Sequence, residues 1–357
     1  MKKIRMGVIG TGGISRVHIE GTVASPDAEL AALCDVREEA LKARGDFYGV
    51  DEAHRFTSYC DLLKCPDIDA AAICTSNNTH YEIAKCAILN RKPFLLEKPV
   101  TLDYGQSLEL ERLALEYGVP NMIAFSYRFK PAARYARELV RKGALGKILH
   151  VYGQYFQAWA IGGELPLVWR FRRALAGSGT LGDLGSHLID LGRFMVGEYK
   201  GVCGDAGTFV TRRKLEGSEE YGDVDVDDYC HVLARMEGGI GAVFSVTRDA
   251  YARGNYQRIE IYGTQGALVY KLDEEGTHED VLEICIGEVY AKSRKFHRVQ
   301  IPESCRADQT QSFFDIVNGR GDGLPADITD GRINQMILDS IIKSFETGQW
   351  INLKEGK

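Results

Sequence analysis

The sequence predicts an α/β chain of two domains: a doubly wound parallel sheet over residues 1–123, then an α+β domain over residues 124–357 with a mixed, mainly antiparallel sheet. Three observations predict it. A length of 357 residues exceeds one ordinary core and suits two. Residues 1–120 alternate short apolar runs with amphipathic stretches, as parallel strands covered on both faces do. Beyond Pro131 the runs lengthen, become rich in Val, Tyr, Ile and Phe, and are separated by glycine-containing turns.

Taken in order, residues 4–9 form an apolar run ending in Gly10, and 14–23 read as a helix. Residues 30–34 are a buried strand closed by Asp35, followed by a helix over 38–48. Strands at 70–74, 93–96 and 121–124 alternate with helices at 80–90 and 103–117. In the second domain a helix at 132–142 precedes residues 148–156, whose alternation marks a strand with one wet face. The glycine-rich stretch 177–197 contains a helix. Strands follow at 230–236, 242–247, 258–262 and 267–271, split by Gly238-Gly239 and Thr264-Gln265-Gly266. Helices at 309–318 and 327–347 close the chain.

Composition narrows the function. Hydrophobic residues at 45% and charged residues at 26% match a soluble globular protein. A net charge of −6 argues against nucleic-acid binding, which needs a clustered basic face. No window approaches a membrane span, and the apolar run after Met1-Lys2-Lys3 is shorter than a signal core, so a cytoplasmic protein with no membrane partner is expected. Nine cysteines without a C-x-x-C pair fit reduced thiols, and the absence of H-E-x-x-H leaves no metal site expected.

Two regions carry chemistry. Gly10-Thr11-Gly12-Gly13-Ile14-Ser15 sits between the first strand and the first helix. Gly10 allows a tight turn, and Gly12 lets the backbone approach a pyrophosphate at the helix N-terminus. A glycine-rich turn without a ligand is the bland alternative, but Asp35 ends the second strand where an acid would hold a ribose 2′-hydroxyl. That carboxylate repels a 2′-phosphate and so favours NAD over NADP, with Arg37 close enough to soften the preference. This is the pattern of a Rossmann dinucleotide-binding domain.

The second region pairs Glu97-Lys98-Pro99, at the end of the fourth apolar strand, with the stretch 179–190. A lysine at that sheet edge can hydrogen-bond a substrate hydroxyl. Asp183 and His187 are four apart and share a helical face, and Asp190 follows by three. Carboxylates one turn away on either side can orient a histidine and tune it as an acid/base. Gly182 and Gly185 would leave room for a ligand. A capped helix with a buried, satisfied histidine, or a metal site, are the competing readings.

These motifs together resemble the Gfo/Idh/MocA oxidoreductase family over nearly the whole chain. The resemblance rests on the glycine turn, Thr75-Ser76-Asn77-Asn78-Thr79-His80, Glu97-Lys98-Pro99 and the Asp183–Asp190 spacing. It implies a second domain with a large open sheet whose exposed face forms a homodimer or homotetramer. It also implies Lys98, Asp183 and His187 as the catalytic set, with His187 taking the hydroxyl proton. Gly10, Gly12, Gly13, Ile14, Asp35, Thr75, Asn77, His80, Glu97, Lys98 and Arg128 would hold the cofactor. Arg128 enters through Tyr127-Arg128-Phe129, and Ser15 departs from the family's usual Ala or Gly. Tyr155, Trp159, Trp169 and Arg170 are candidates for a sugar's C–H faces and hydroxyls. The activity implied is NAD-dependent hydride transfer at a carbinol carbon of a sugar, anhydrosugar or inositol-type polyol. A glycosidase using transient oxidation and a non-catalytic NAD(H) sensor remain as alternatives.

Overall fold

The computed structural model describes residues 2–274 and 276–353. They divide into two compact units, one of residues up to Ser126 with Ala307–Gln335, the other of Tyr127–Arg306 with the residues from Met336 onward. Ala307–Gln335, far along the chain from the rest of the first unit, belongs with it. Its place there is physical: Ala326 bridges Ile123, and Ala326 and Ile328 join that unit's apolar core.

The first unit contains β1 (Ile4–Ile9), α1 (Ser15–Ala24), β2 (Ala28–Cys34), α2 (Glu38–Tyr48), β3 (Arg55–Phe56) and α3 (Tyr59–Lys64). It continues with β4 (Ala70–Ile73), α4 (Asn77–Leu89), β5 (Phe94–Leu96), α5 (Tyr104–Tyr117) and β6 (Asn121–Ile123). The parallel sheet has the order β3-β2-β1-β4-β5-β6. Strand order reverses between β1 and β4, and in such sheets ligands bind outside the carboxyl ends of the strands at that point. Gly10 follows β1 there, and Cys74-Thr75 follow β4. Continuous apolar strands such as β4, fully buried throughout, reflect helices on both faces. The two-residue β3 and six-residue α3 are too short to give a periodic signal, and the sequence reading lacks both.

The entry to β1 is tied to the entry to β4. The Arg5 backbone N–H and Nε donate to Asp69 Oδ2 at 2.9 and 3.0 Å, and Nη2 reaches Oδ1 at 2.9 Å. The Arg5 hydrogen bond holds the Asp69 carboxyl down at about 2. A carboxyl depressed in the folded state contributes stability that is complete above its unfolded value, about 3.9, and is lost as pH falls through the folded value. Asp69→Asn should therefore lower stability at neutral pH by about 1–2 kcal/mol, part of the effect being screened by solvent at this partly exposed site. Urea midpoints should converge with wild type toward pH 2; a constant gap across that range would show that the carboxylate charge is not responsible.

The second unit opens with α6 (Pro131–Arg141), β7 (Ile148–Phe156), α7 (Arg173–Ala176) and α8 (Ser186–Met195). Then come β8 (Tyr199–Gly207), the hairpin β9 (Arg212–Lys214) and β10 (Tyr221–Asp223), β11 (Tyr229–Met236) and β12 (Ile240–Thr247). The strands β13 (Tyr256–Gly263), β14 (Gly266–Leu272), β15 (Asp280–Ile286), β16 (His297–Arg298) and β17 (Ile351–Asn352) follow. Nine strands form one sheet, β16-β15-β14-β13-β7-β12-β11-β8-β17, antiparallel except for β7 beside β12.

Alternation sets its two faces. β11 buries Cys230, Val232, Ala234 and Met236 and exposes His231, Leu233 and Arg235. α8 packs on the buried face, closely enough that a Cβ on Gly153 would meet Phe244 at 2.5 Å and Leu188 at 3.2 Å. On exposed positions lie Tyr152, Leu233 and Val243. β8 and β15 escape the sequence reading because Gly201, Gly204 and Gly207 dilute one pattern and half-buried Asp280 and Glu283 the other. Among the described residues no helix is long and apolar enough to cross a membrane.

Candidate active site

In the first unit the glycine turn is built for close approach. Gly10 has φ +89°, and a Cβ there would come within 2.8 Å of the Cys74 carbonyl oxygen, so both its conformation and its neighbour require glycine. A Cβ on Gly12 or Gly13 would meet nothing within 4 Å, which leaves open space above the backbone at the start of α1. Ile14 is exposed beside it. Ser15 Oγ donates to the Gly12 carbonyl at 2.6 Å, so this departure from the family pattern closes the loop on itself.

Asp35 is buried at the end of β2, with its oxygens shared between two neighbours. Oδ2 accepts from the Thr11 N–H (2.8 Å) and hydroxyl (2.7 Å); Oδ1 accepts from Arg37 N–H (2.9 Å) and Nε (3.4 Å). Burial pushes its carboxyl up, but these donors outweigh burial and hold it below its ordinary value. An ionised carboxylate, an open glycine turn and a helix start fit a nicotinamide dinucleotide, and the carboxylate disfavours a 2′-phosphate. Among the described residues no group of three or more His, Cys, Asp or Glu could hold a metal ion.

At the end of β5 lies a pair absent from the sequence reading. His18 Nε2 and Glu97 Oε1 are 2.7 Å apart, both buried, 79 positions apart in the chain. Burial pushes the Glu97 carboxyl up, but His18, Lys98 and His80 together bring it below its ordinary value. The half-buried Lys98 follows, its backbone N–H donating to Glu97 Oε2 at 3.3 Å. Asn77 is buried at the start of α4. Thr75 Oγ1 accepts from the Thr79 hydroxyl at 2.7 Å.

His80, expected beside the nicotinamide, is fully buried, with Nδ1 2.8 Å from the Pro99 carbonyl and Nε2 3.2 Å from that of Thr75. Burial lowers its pKa, and a neutral ring carries one N–H, which donates to one of these two carbonyls.

In the second unit Asp183 and His187 do lie on one continuous helical segment, but its first part, Leu181–Gly185, is a π turn rather than the α turn that a four-residue spacing suggests. Such widened turns recur at functional sites. Asp227 starts the segment: Oδ1 accepts from Gly179 N–H and Oδ2 from Leu181 N–H, both at 2.7 Å. Its carboxyl is raised by burial, which these two bonds partly oppose. A Cβ on Gly179 would lie 1.9 Å from the Asp227 carbonyl oxygen. Gly182 and Gly185 also serve packing, because Cβ atoms there would press on Ser178 and Leu181 at 2.6 and 2.9 Å.

His187 is nearly buried, its ring edge-on to Tyr127 at 4.6 Å and 6.4 Å from Tyr155. The Tyr127 and Tyr155 hydroxyls are 2.6 Å apart, and both reach Asn255 Oδ1, at 2.9 and 2.7 Å. Gln157 Nε2 donates to the Tyr155 hydroxyl (3.0 Å) and to Asn255 Oδ1 (2.9 Å). Burial raises both phenols, and the negative charge of Asp183 adds to the rise, which puts Asp183 in the same neighbourhood. Arg128 closes its guanidinium on Asp190, Nε to Oδ2 at 2.8 Å and Nη2 to Oδ1 at 2.6 Å. This expected cofactor residue therefore has a buried carboxylate as its partner, on the helix that carries His187.

Trp159 and Trp169 sit elsewhere than against His187 in the contacts they make. Trp159 packs on the cluster of Ala160, Leu167, Phe171, Val224 and Val226, its ring 5.7 Å from Phe171 and 5.2 Å below the Arg248 guanidinium. Arg170 stacks on Trp169 at 4.3 Å. Of the four candidate substrate residues, Tyr155 is the one brought to the histidine. Asn255 and His18 had no signal of their own: one lies in an irregular loop, the other on a glycine-turn helix with weak periodicity.

Comparison with known proteins gives the family of the chain. A model described as the oxidoreductase family, NAD-binding Rossmann fold, matches residues 4–125, and one described as the GFO/IDH/MocA C-terminal domain matches residues 133–269. The chain is similar to a levoglucosan dehydrogenase of Pseudarthrobacter phenanthrenivorans, 28% identical over 99% of both chains. It is 30% identical to a myo-inositol 2-dehydrogenase of Thermotoga maritima over 74% of each. A solved levoglucosan dehydrogenase in complex with NADH and levoglucosan superposes with a TM-score of 0.90 at 26% identity, covering 99% of this chain and all of that one.

Proposed function

Because this chain belongs to the Gfo/Idh/MocA oxidoreductase family, we propose that it is an NAD-dependent dehydrogenase moving a hydride between nicotinamide and a carbinol carbon of a sugar, anhydrosugar or inositol-type polyol. The observation that carries the reading is His187, fixed edge-on against Tyr127 beside Asp183 on a π turn. When bound, the nicotinamide takes or gives the hydride. The residues of this chain supply position and a proton acceptor. His187 takes the proton of the reacting hydroxyl, while Lys98 and Asp183 orient and polarise it. Asp35 selects NAD by its ionised carboxylate. The similarity to levoglucosan and inositol dehydrogenases supports cyclic polyols as the substrate class.

In this reading the protein works in the cytoplasm as a homodimer or homotetramer formed through the exposed face of the nine-stranded sheet. The apolar side chains of Tyr152, Leu233 and Val243 on that face support it. The test is to mix the protein with NAD, and separately with NADP, and follow NADH absorbance against inositols, aldoses and anhydrosugars. A rise with NAD and one substrate class is expected. Tight NADH binding with no net NADH from any of them would overturn the dehydrogenase reading in favour of a glycosidase or a sensor.

A further inference from the structure

Cys60 in α3 and Cys86 in α4 bring their sulfurs to 3.7 Å of each other. The two helices pack together and share one core, with Leu62 and Leu63 from the first and Ile83, Ala84, Ala87 and Ile88 from the second. Both thiols are half-buried, which leaves them within reach of a small solute. Cys34, Cys74 and Cys230 are different: they are sealed in or beside core strands, and burial pushes their thiols up, that of Cys34 to about 12. Around the pair, the Asn90 amide donates to Cys86 Sγ at 3.5 Å. Tyr59, next to Cys60, has its phenol raised by burial and then by Cys60 and its neighbours.

We propose that Cys60 and Cys86 form a reversible oxidation site, which a hydroperoxide or a small disulfide such as oxidised glutathione converts into an intramolecular disulfide tying α3 to α4. The sulfurs must close from 3.7 Å to about 2.05 Å, a travel that two side chains can share. Burial, and then contact with Cys60, pushes the Cys86 thiol up to about 11. We write Cys60 as the attacking sulfur and Cys86 as the resolving one, an order that the single-cysteine variants test.

With hydrogen peroxide, the Cys60 thiolate attacks one oxygen, the O–O bond breaks, and hydroxide leaves and takes a proton to become water. The Cys60 sulfenic acid is then attacked by Cys86 sulfur; the S–O bond breaks, and the oxygen leaves as a second water with the proton from Cys86. Two thiols lose two electrons, and one peroxide gains them. With oxidised glutathione, Cys60 displaces one glutathione thiolate and Cys86 the second, giving the same disulfide and two glutathione thiols.

The link would close a loop across 26 positions and restrict the unfolded chain. It lies toward the far end of α4 from Asn77, about 13 Å along the axis at 1.5 Å per residue. The oxidised protein should thus keep its cofactor affinity and melt about 5 °C higher, a gain that dithiothreitol removes.

The experiment treats the full chain with hydrogen peroxide in one arm and oxidised glutathione in the other, blocks residual thiols and maps peptides without reduction. Expected in both arms is a peptide pair joined through Cys60 and Cys86, lost on reduction. In Cys86→Ser, Cys60 should carry glutathione as a mixed disulfide; in Cys60→Ser, Cys86 should stay reduced. Absence of the joined peptide from the wild-type protein in both arms overturns the proposal, as does irreversible oxidation of the two sulfurs without a link. A joined peptide in one arm alone supports the site and identifies which oxidant it accepts.

Discussion

Replacing His187 with alanine lowers polyol turnover by about 100- to 10,000-fold, the range a positioned general base supplies. The loss should fall on kcat, because the histidine acts on a proton that moves only as the hydride leaves. NADH affinity, read by fluorescence titration, should stay within about twofold, since the proposed cofactor contacts, the glycine turn and Asp35, lie elsewhere in the chain. The ring packs edge-on against Tyr127, so alanine also leaves a cavity. His187→Gln, which fills more of that space and cannot accept a proton at neutral pH, separates the two effects. Loss of turnover in both variants with a near-normal melting temperature assigns the effect to proton transfer. A tenfold effect or less in both would remove His187 from the base role.

The second large effect is on stability. Arg128→Met should cost about 3–5 kcal/mol, because it strands Asp190 as a buried carboxylate without its guanidinium. The side chains of this pair are only 5% and 2% exposed, so water cannot take over the lost bonds. Methionine retains much of the stem and can still cover the Phe194 ring, over which the guanidinium sits at 5.1 Å. Lost packing is therefore the smaller part. The double variant Arg128→Met/Asp190→Leu removes both charges and should regain most of the deficit, because a buried pair replaced by apolar groups is often neutral. Urea unfolding of wild type, Arg128→Met, Asp190→Leu and the double variant gives the coupling directly. If the double variant were as unstable as the single one, packing and not the stranded charge would be responsible.

How much of this was legible in the sequence depends on how local the signal is. The glycine turn, Asp35 and the alternating strands of the second sheet each announce themselves within a few residues, and they lie where the patterns put them. The spacing of Asp183 and His187 gave the right segment but the wrong turn, since a π turn leaves the residue interval unchanged. What joins distant residues was invisible. His18 meets Glu97 across 79 positions, Tyr127 meets Asn255 across 128, and Arg128 meets Asp190 across 62. A carboxylate three residues from a histidine looks like its orienting partner until a buried arginine is seen closing on it. Trp159 illustrates the same limit: residue type suggests a sugar platform, and only the structure shows its ring 5.7 Å from Phe171 and 5.2 Å from the buried Arg248 guanidinium.

The strand order of the nine-stranded sheet also governs how this chain can be made. β7 lies between β13 and β12, yet it is synthesised well before either. On a ribosome adding about 5–20 residues per second, both of its edges wait several seconds for their partners. The first unit waits longer still, since Ala326 and Ile328, which join its core, are made after β12 and β13. A nascent chain halted around residue 240 would thus expose a long, two-edged strand of the kind that pairs with other chains. Shielding of β7 until β12 and β13 arrive would limit such pairing.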